Sequence, residues 1–219
     1  MNEIALYIIC NILILSITDL GTNSCIIGID EAGRGALAGP VVAGACVLIE
    51  SLKGREYIRD SKQLTSEQRE EAYEWITGHC TWGIGIVEAR FIDTNGILAA
   101  TEKAMQEALA TIEKFVIPTY LLVDGRDKFW FNYPHSAVIR GDESEPCISA
   151  ASILAKVTRD RIMIEYGKDH PYGFTEHKRY GTEEHFAAIE KHGVSSLHRR
   201  TFLQKSVIRR QNTVLPTHF

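Results

Sequence analysis

Cysteine is scarce and scattered. The five cysteines, Cys10, Cys25, Cys46, Cys80 and Cys147, are odd in number and form no Cys-x-x-Cys pair. This argues against a disulfide framework and against a zinc site of the usual spacing. Reduced thiols in a cytoplasm fit best. No Gly-Lys-Ser/Thr phosphate loop occurs, and there is no internal repeat or low-complexity tract. No Lys or Arg precedes Arg34. The apolar stretch 5–17 (ALYIICNILILSI) therefore lacks the positive leader of a secretory signal. It is also shorter than the ~20 apolar residues that a bilayer-spanning helix requires. Residues 1–24 are expected to be an apolar N-terminal extension, either packed on the domain or produced by an upstream start codon. A membrane anchor is the lesser reading, and no membrane partner is expected.

What remains describes an ordinary globular chain. Its 219 residues are 45% hydrophobic and 24% charged, enough for one domain with a substantial core. That domain is expected over residues 25–212, followed by a loose tail at 213–219. The net charge of −4 argues at first against a nucleic-acid partner. The distribution argues the other way. Residues 156–219 hold 12 Lys and Arg against 7 Asp and Glu, while residues 1–155 hold 12 against 21. A basic C-terminal part beside an acidic part is compatible with phosphate binding, and equally with ordinary surface variation.

Periodicity divides the chain into alternating elements. Residues 26–29 read as a buried strand, followed by a glycine turn at 32–35 and a second strand over 41–49. A helix starts at 64–68, where Thr65 and Gln68 have capping-box spacing, and runs to residue 76, stopping near Gly78. Residues 81–87 alternate as a third strand. Leu98, Met105, Leu109 and Ile112 stand at helical spacing within 95–114. Strands follow at 120–123 and 137–139. A long helix is expected over 144–166, its first half nearly all small or apolar. A last helix spans 182–192, with Thr182 as N-cap and Gly193 just past its end. The pattern predicts an α/β fold with a mixed central sheet flanked by helices.

Acidic residues close the apolar strands. Asp30 and Glu31 follow 26–29, Asp124 follows 120–123, and Asp142 stands just before the long helix. Buried neighbouring carboxylates are costly, because each is desolvated and each repels the others. A divalent cation removes both costs, and an all-oxygen set favours Mg²⁺ or Mn²⁺ over Zn²⁺. Each carboxylate also has a plain reading: Asp124-Gly125 is a common turn pair, and Asp142 could cap a helix. Adjacent strand residues point to opposite faces, so Asp30 and Glu31 share one site only at a strand end or bend. On spacing alone, both readings stand.

Longer motifs go further. Gly28-Ile29-Asp30-Glu31-Ala32-Gly33-Arg34-Gly35 with Ala38-Gly39-Pro40-Val41 resembles the opening motif of type 2 ribonucleases H. Asp60-Ser61-Lys62-Gln63-Leu64 and Val123-Asp124-Gly125 are similar to the next two blocks. Gly141-Asp142 and residues 148–160 (ISAASILAKVTRD) resemble the fourth. Tyr172-Gly173-Phe174, His177-Lys178-Arg179-Tyr180 and His198-Arg199 complete a bacterial ribonuclease HII pattern over 25–202. The sequence departs from it at Ala36, where Pro is common, at Gln63, where Lys is usual, and at Arg179, where Gly is usual.

The resemblance implies an RNase H-like fold with a C-terminal helical segment. It implies an endonuclease that hydrolyses the RNA strand of RNA–DNA hybrids and incises 5′ of ribonucleotides embedded in duplex DNA. The products would be a 3′-hydroxyl and a 5′-phosphate. It assigns catalysis and metal binding to Asp30, Glu31, Asp124 and Asp142, with two Mn²⁺ or Mg²⁺ ions per site. Asp30 would bridge both ions, Asp142 would serve the ion that activates water, and Glu31 and Asp124 the ion at the leaving group. Gly33, Arg34 and Gly35 would read the ribonucleotide, because glycines let main chain approach a 2′-hydroxyl. Tyr180 would stack at the RNA–DNA junction. Lys62, Lys156, Lys178 and Arg199 are candidate phosphate contacts; solvated surface charge explains each as readily. A cytoplasmic monomer is expected. The competing readings are a ribonuclease HIII-like nuclease and an inactive hybrid-binding protein.

Overall fold

The computed structural model describes residues 25–47, 58, 64–174 and 182–204. Residues 1–24 and 213–219 lie outside them, as do Lys62, Gln63, His177, Lys178, Arg179 and Tyr180.

Five strands form one mixed sheet in the order β3-β2-β1-β4-β5. They are β1 (Ile26–Ala32), β2 (Val41–Val47), β3 (Thr81–Val87), β4 (Tyr120–Asp124) and β5 (His135–Val138). β1 pairs antiparallel with β2 and parallel with β4. β2 pairs antiparallel with β3, and β4 parallel with β5. β1 outlasts the apolar run 26–29, because antiparallel pairing to β2 continues as far as Ala32↔Val42.

The helices are α1 (Ser66–His79), α2 (Ala89–Asn95), α3 (Ile97–Ile112), α4 (Gly141–Ser144), α5 (Pro146–Lys168) and α6 (Glu183–His192). The Thr65–Gln68 capping box forms in both directions. α1 runs through Gly78 and ends at extended Cys80. The helix expected over 95–114 forms as α3, starting at Ile97 because Gly96 takes φ 84, and α2 before it is a short helix that periodicity does not mark. The long helix likewise starts later than expected. Glu145 is extended and Pro146 occupies the first turn, where its missing N–H costs nothing.

The sheet is covered on both faces. On one, Ala100, Ala104, Met105, Ala108, Leu109 and Ile112 of α3 meet Ile27, Ile29, Ala43, Ala45, Leu121 and Val123. Leu98, expected in that stripe, is exposed. Alanines take the positions nearest the sheet, so α3 approaches β3 until a Cβ on Gly85 would lie 1.9 Å from the Ala104 carbonyl oxygen. On the other face, Ala150, Ala151, Ile153, Leu154 and Val157 of α5 join Ala72 and Ile76 of α1. Each fully buried Ile or Leu contributes roughly 1.5–3 kcal/mol. A third cluster of Ala38, Met163, Tyr172 and Phe174, with Ile189 and Leu197 beside it, docks the C-terminal part on the end of α5.

Candidate active site

Register places the first two carboxylates. Ile29 is aligned with Val123 on the parallel neighbour β4, so the next residues, Asp30 and Asp124, stand side by side and point to one face. That face carries α5. The helix comes close because Gly28 and Gly44 have no side chain there. A Cβ on Gly28 would lie 2.2 Å from the Cys147 carbonyl carbon, and one on Gly44 2.3 Å from the Ala151 oxygen. Main chain against main chain brings Ser152 of α5 to the Asp30 carboxylate, to which it hydrogen-bonds.

Asp142 arrives through its neighbour. The Gly141 amide donates to Asp124 Oδ1 at 2.7 Å, tying α4 to the end of β4. The Ser149 hydroxyl donates to the Asp142 carbonyl and fixes α4 on the first turn of α5. Asp142 therefore lies inside a short helix of its own and does not cap α5. Arg140, just before it, holds left-handed backbone (φ 56), a conformation non-glycine residues rarely take.

Glu31 follows Asp30 within the strand and has different partners. Arg34 Nη1 donates to Glu31 Oε1 at 3.2 Å, while Arg34 Nη2 reaches Asp127 Oδ2 at 2.7 Å. Arg34 thus spans two acids. Gly33 turns the chain with φ 91, and the Ala36 amide closes the turn on the Gly33 carbonyl at 3.3 Å.

The electrostatics follow from this crowding. Burial pushes the Asp30 carboxyl well above its ordinary range, and the charges of Glu31 and Asp124 push the same way. The Ser152 hydroxyl and the Glu31 amide pull it partly back. Burial also raises Glu31, against the opposing pull of Arg34, while Asp124 and Asp127 add to the rise. Both groups are strained as anions. Glu31 Oε2 is buried and has no hydrogen-bond partner.

These features fit a hard divalent cation: oxygen donors only, mutual repulsion, and an orphaned buried oxygen. The carboxylates are gathered but not closed. Among the described residues, no three His, Cys, Asp or Glu side chains already converge on one ion position.

The remaining candidates divide. Lys156 sits on α5 with its ammonium 2.7 Å from Asp160 Oδ1. Arg199 corrects its expected role as a phosphate contact. It has no exposed surface, and its guanidinium donates to the Arg34 and Gly39 carbonyls. Lys62, Lys178 and Tyr180 lie outside the described residues. Three site neighbours were missed: Asp127, Ser152 and Arg159. Ser152 and Arg159 stand seven apart on α5, on the helix face that meets the sheet, and a lone arginine on an apolar face was a readable signal. Asp127 had none.

A five-stranded mixed sheet with acids gathered at the β1 and β4 ends defines the class, a protein of the RNase H-like fold. The ribonuclease HII family model matches residues 27–205. The chain belongs to the ribonuclease HII family. A ribonuclease HII of Clostridioides difficile is 47% identical over 81% of this chain and 69% of its own length. The structure is similar to that in the PCNA:RNase HII complex from Archaeoglobus fulgidus, with TM-score 0.69, 25% identity and coverage of 84% of this chain and 96% of that one. A Bst-RNase HIII solved in complex with Mn²⁺ shares the fold: TM-score 0.63, 17% identity, coverage of 86% and 71%. Among the described residues, no helix is long and apolar enough to cross a membrane.

Proposed function

We propose that the protein is a metal-dependent endonuclease that cuts the RNA strand of RNA–DNA hybrids and incises duplex DNA 5′ of an embedded ribonucleotide. Residues 25–212 form the catalytic domain, and the products are a 3′-hydroxyl and a 5′-phosphate. The observation that carries this reading is the placement of Asp30 beside Asp124 at paired strand ends, with Asp142 tied to Asp124 through Gly141 and the Gly33–Arg34–Gly35 turn rising from the same strand. Asp30, Glu31, Asp124 and Asp142 hold divalent cations, Mn²⁺ or Mg²⁺. Such ions, when bound, stabilise charge on the attacking and leaving oxygens.

The chain's own groups do the selecting. The Gly33–Arg34–Gly35 turn presents main chain, with no side-chain bulk at either glycine, to the ribose 2′-hydroxyl. Arg34, anchored by Asp127, places positive charge where a phosphate passes. Tyr180 is assigned to the duplex by the family pattern alone, and the lysines 62, 156 and 178 are candidate phosphate contacts by their charge.

Asp30→Asn separates an enzyme from a hybrid-binding protein. The variant should lose cleavage of a labelled hybrid and retain hybrid affinity within a few-fold. Cleavage by Asp30→Asn at the wild-type rate would overturn the site assignment.

A further inference from the structure

Two arginines are buried where no phosphate can reach them. Arg199 has no exposed surface and Arg159 only 3%. A guanidinium is costly to bury unless its donors are met. Here Nε and one Nη of each are met by one short stretch of main chain. Arg199 Nη1 donates to the Arg34 carbonyl at 2.9 Å and Nε to the Gly39 carbonyl at 3.0 Å. Arg159 Nη2 donates to Ala38 at 2.9 Å and Nε to Pro40 at 2.9 Å. Four carbonyls between residues 34 and 40 are therefore gripped by two guanidinium forks. One fork comes from α5, the other from the chain beyond α6.

Main chain reinforces the grip. The Arg199 amide donates to Leu37 at 2.8 Å and the Gly39 amide to Leu197 at 2.8 Å, around an Ala38↔His198 bridge. Arg159 also lies hard against the turn: a Cβ on Gly33 would stand 1.9 Å from its Nε. Glycine at 33 thus serves the clamp as well as the turn.

A turn with glycines at 33 and 35 is free to adopt many shapes. A turn that must meet a 2′-hydroxyl has to be held in one, since a misplacement of about 1 Å costs on the order of 10²-fold in rate. We infer that Arg159 and Arg199 are positioning residues that fix the main chain of residues 33–40, and with it the ribose-sensing turn. The sensing role rests on the proposed function; the clamp does not. Neither arginine touches substrate. The arrangement also makes the C-terminal part a structural support of the site.

The test uses the full chain with Arg199→Lys and Arg159→Lys. Each keeps the charge but offers a single nitrogen, which cannot replace a planar fork on two carbonyls. Hydrogen exchange of the amides in 33–40, without metal or substrate, should quicken ~10-fold or more while β1 and β4 stay protected. On a DNA duplex with one ribonucleotide, kcat/KM should fall ~10- to 100-fold. Mn²⁺ affinity by calorimetry should stay within about two-fold of wild type, since the carboxylates are untouched. Unchanged exchange at 33–40 would overturn the clamp. So would exchange that rises equally across the sheet, the mark of a merely structural role. If the wild-type protein fails to cut the duplex, the proposed function fails and the exchange data alone decide the clamp.

Discussion

At the scale of single residues, the site is built from unfavourable charges. Asp30 is desolvated, flanked by two other acids, and raised well above its ordinary protonation range. A folded-state value above the unfolded one means that Asp30 destabilises the metal-free protein at neutral pH and does so less as pH falls through the folded value. Asp30→Asn should therefore stabilise the metal-free protein at pH 7, read as a higher urea midpoint. The same variant should lose most of the Tm gain that Mn²⁺ gives the wild type. A metal-free Asp30→Asn protein less stable than wild type would mean that the carboxylate is satisfied as an anion. Glu31 differs, because Arg34 holds one of its oxygens and leaves the other buried and orphaned.

At the scale of elements, the site depends on how closely α5 can approach β1 and β2. Gly28 and Gly44 make room for that helix, and Ser152 reaches Asp30 only because they do. Gly28→Ala should force helix and strand apart and cost about 3 kcal/mol, overpacking being resisted by main chain on both sides. Chemical denaturation checks the cost, and a parallel loss of cleavage would show that the carboxylates move with the helix. Much of this level was legible in the sequence. Asp30, Glu31 and Asp124 stood out as acids closing apolar runs, Asp142 as an acid just before the long helix, and the small residues from 148 to 155 marked that helix as deeply buried. Periodicity failed where one residue interrupts a continuous pattern. Gly96 with φ 84 delays the helix expected from 95, and extended Glu145 delays the one expected from 144. Leu98 fell on the stripe by count, but it stands in the first turn of α3 and is exposed, while alanines face the sheet. Arg199 looked like a surface cation because nothing local reveals that residues 34 and 39, far away in sequence, supply its acceptors.

At the scale of the whole molecule, the C-terminal part holds a buried histidine pair next to its Ala38↔His198 bridge to the rest of the domain. The Ser195 amide donates to His198 Nδ1 at 3.1 Å, so the ring proton sits on Nε2 and faces His185 Nε2 at 3.1 Å. Burial first, then the charges of His185 and His170, lower His198 to about 4, against the Ser195 contact. An unfolded histidine takes its proton near pH ~6.5. Between there and about 4 the unfolded chain binds more protons, so this contribution is complete above that window and is lost as pH falls through it. The loss is on the order of 3 kcal/mol. Asp30 has the opposite sign, so the comparison must be with His198→Gln, in which the carboxylate effect is unchanged. Wild type should lose stability more steeply than His198→Gln from pH 6.5 down to 4; equal slopes would mean that the pair does not titrate.

Gathered carboxylates and a clamped glycine turn should together cut at a ribonucleotide. The most direct measurement is cleavage of a labelled DNA duplex containing one ribonucleotide, with Mn²⁺ or Mg²⁺, beside all-DNA and EDTA controls. A single cut 5′ of the ribonucleotide is expected, absent from the all-DNA duplex and abolished by EDTA. Cleavage of the all-DNA duplex, cleavage that survives EDTA, or no cut at the ribonucleotide would contradict it.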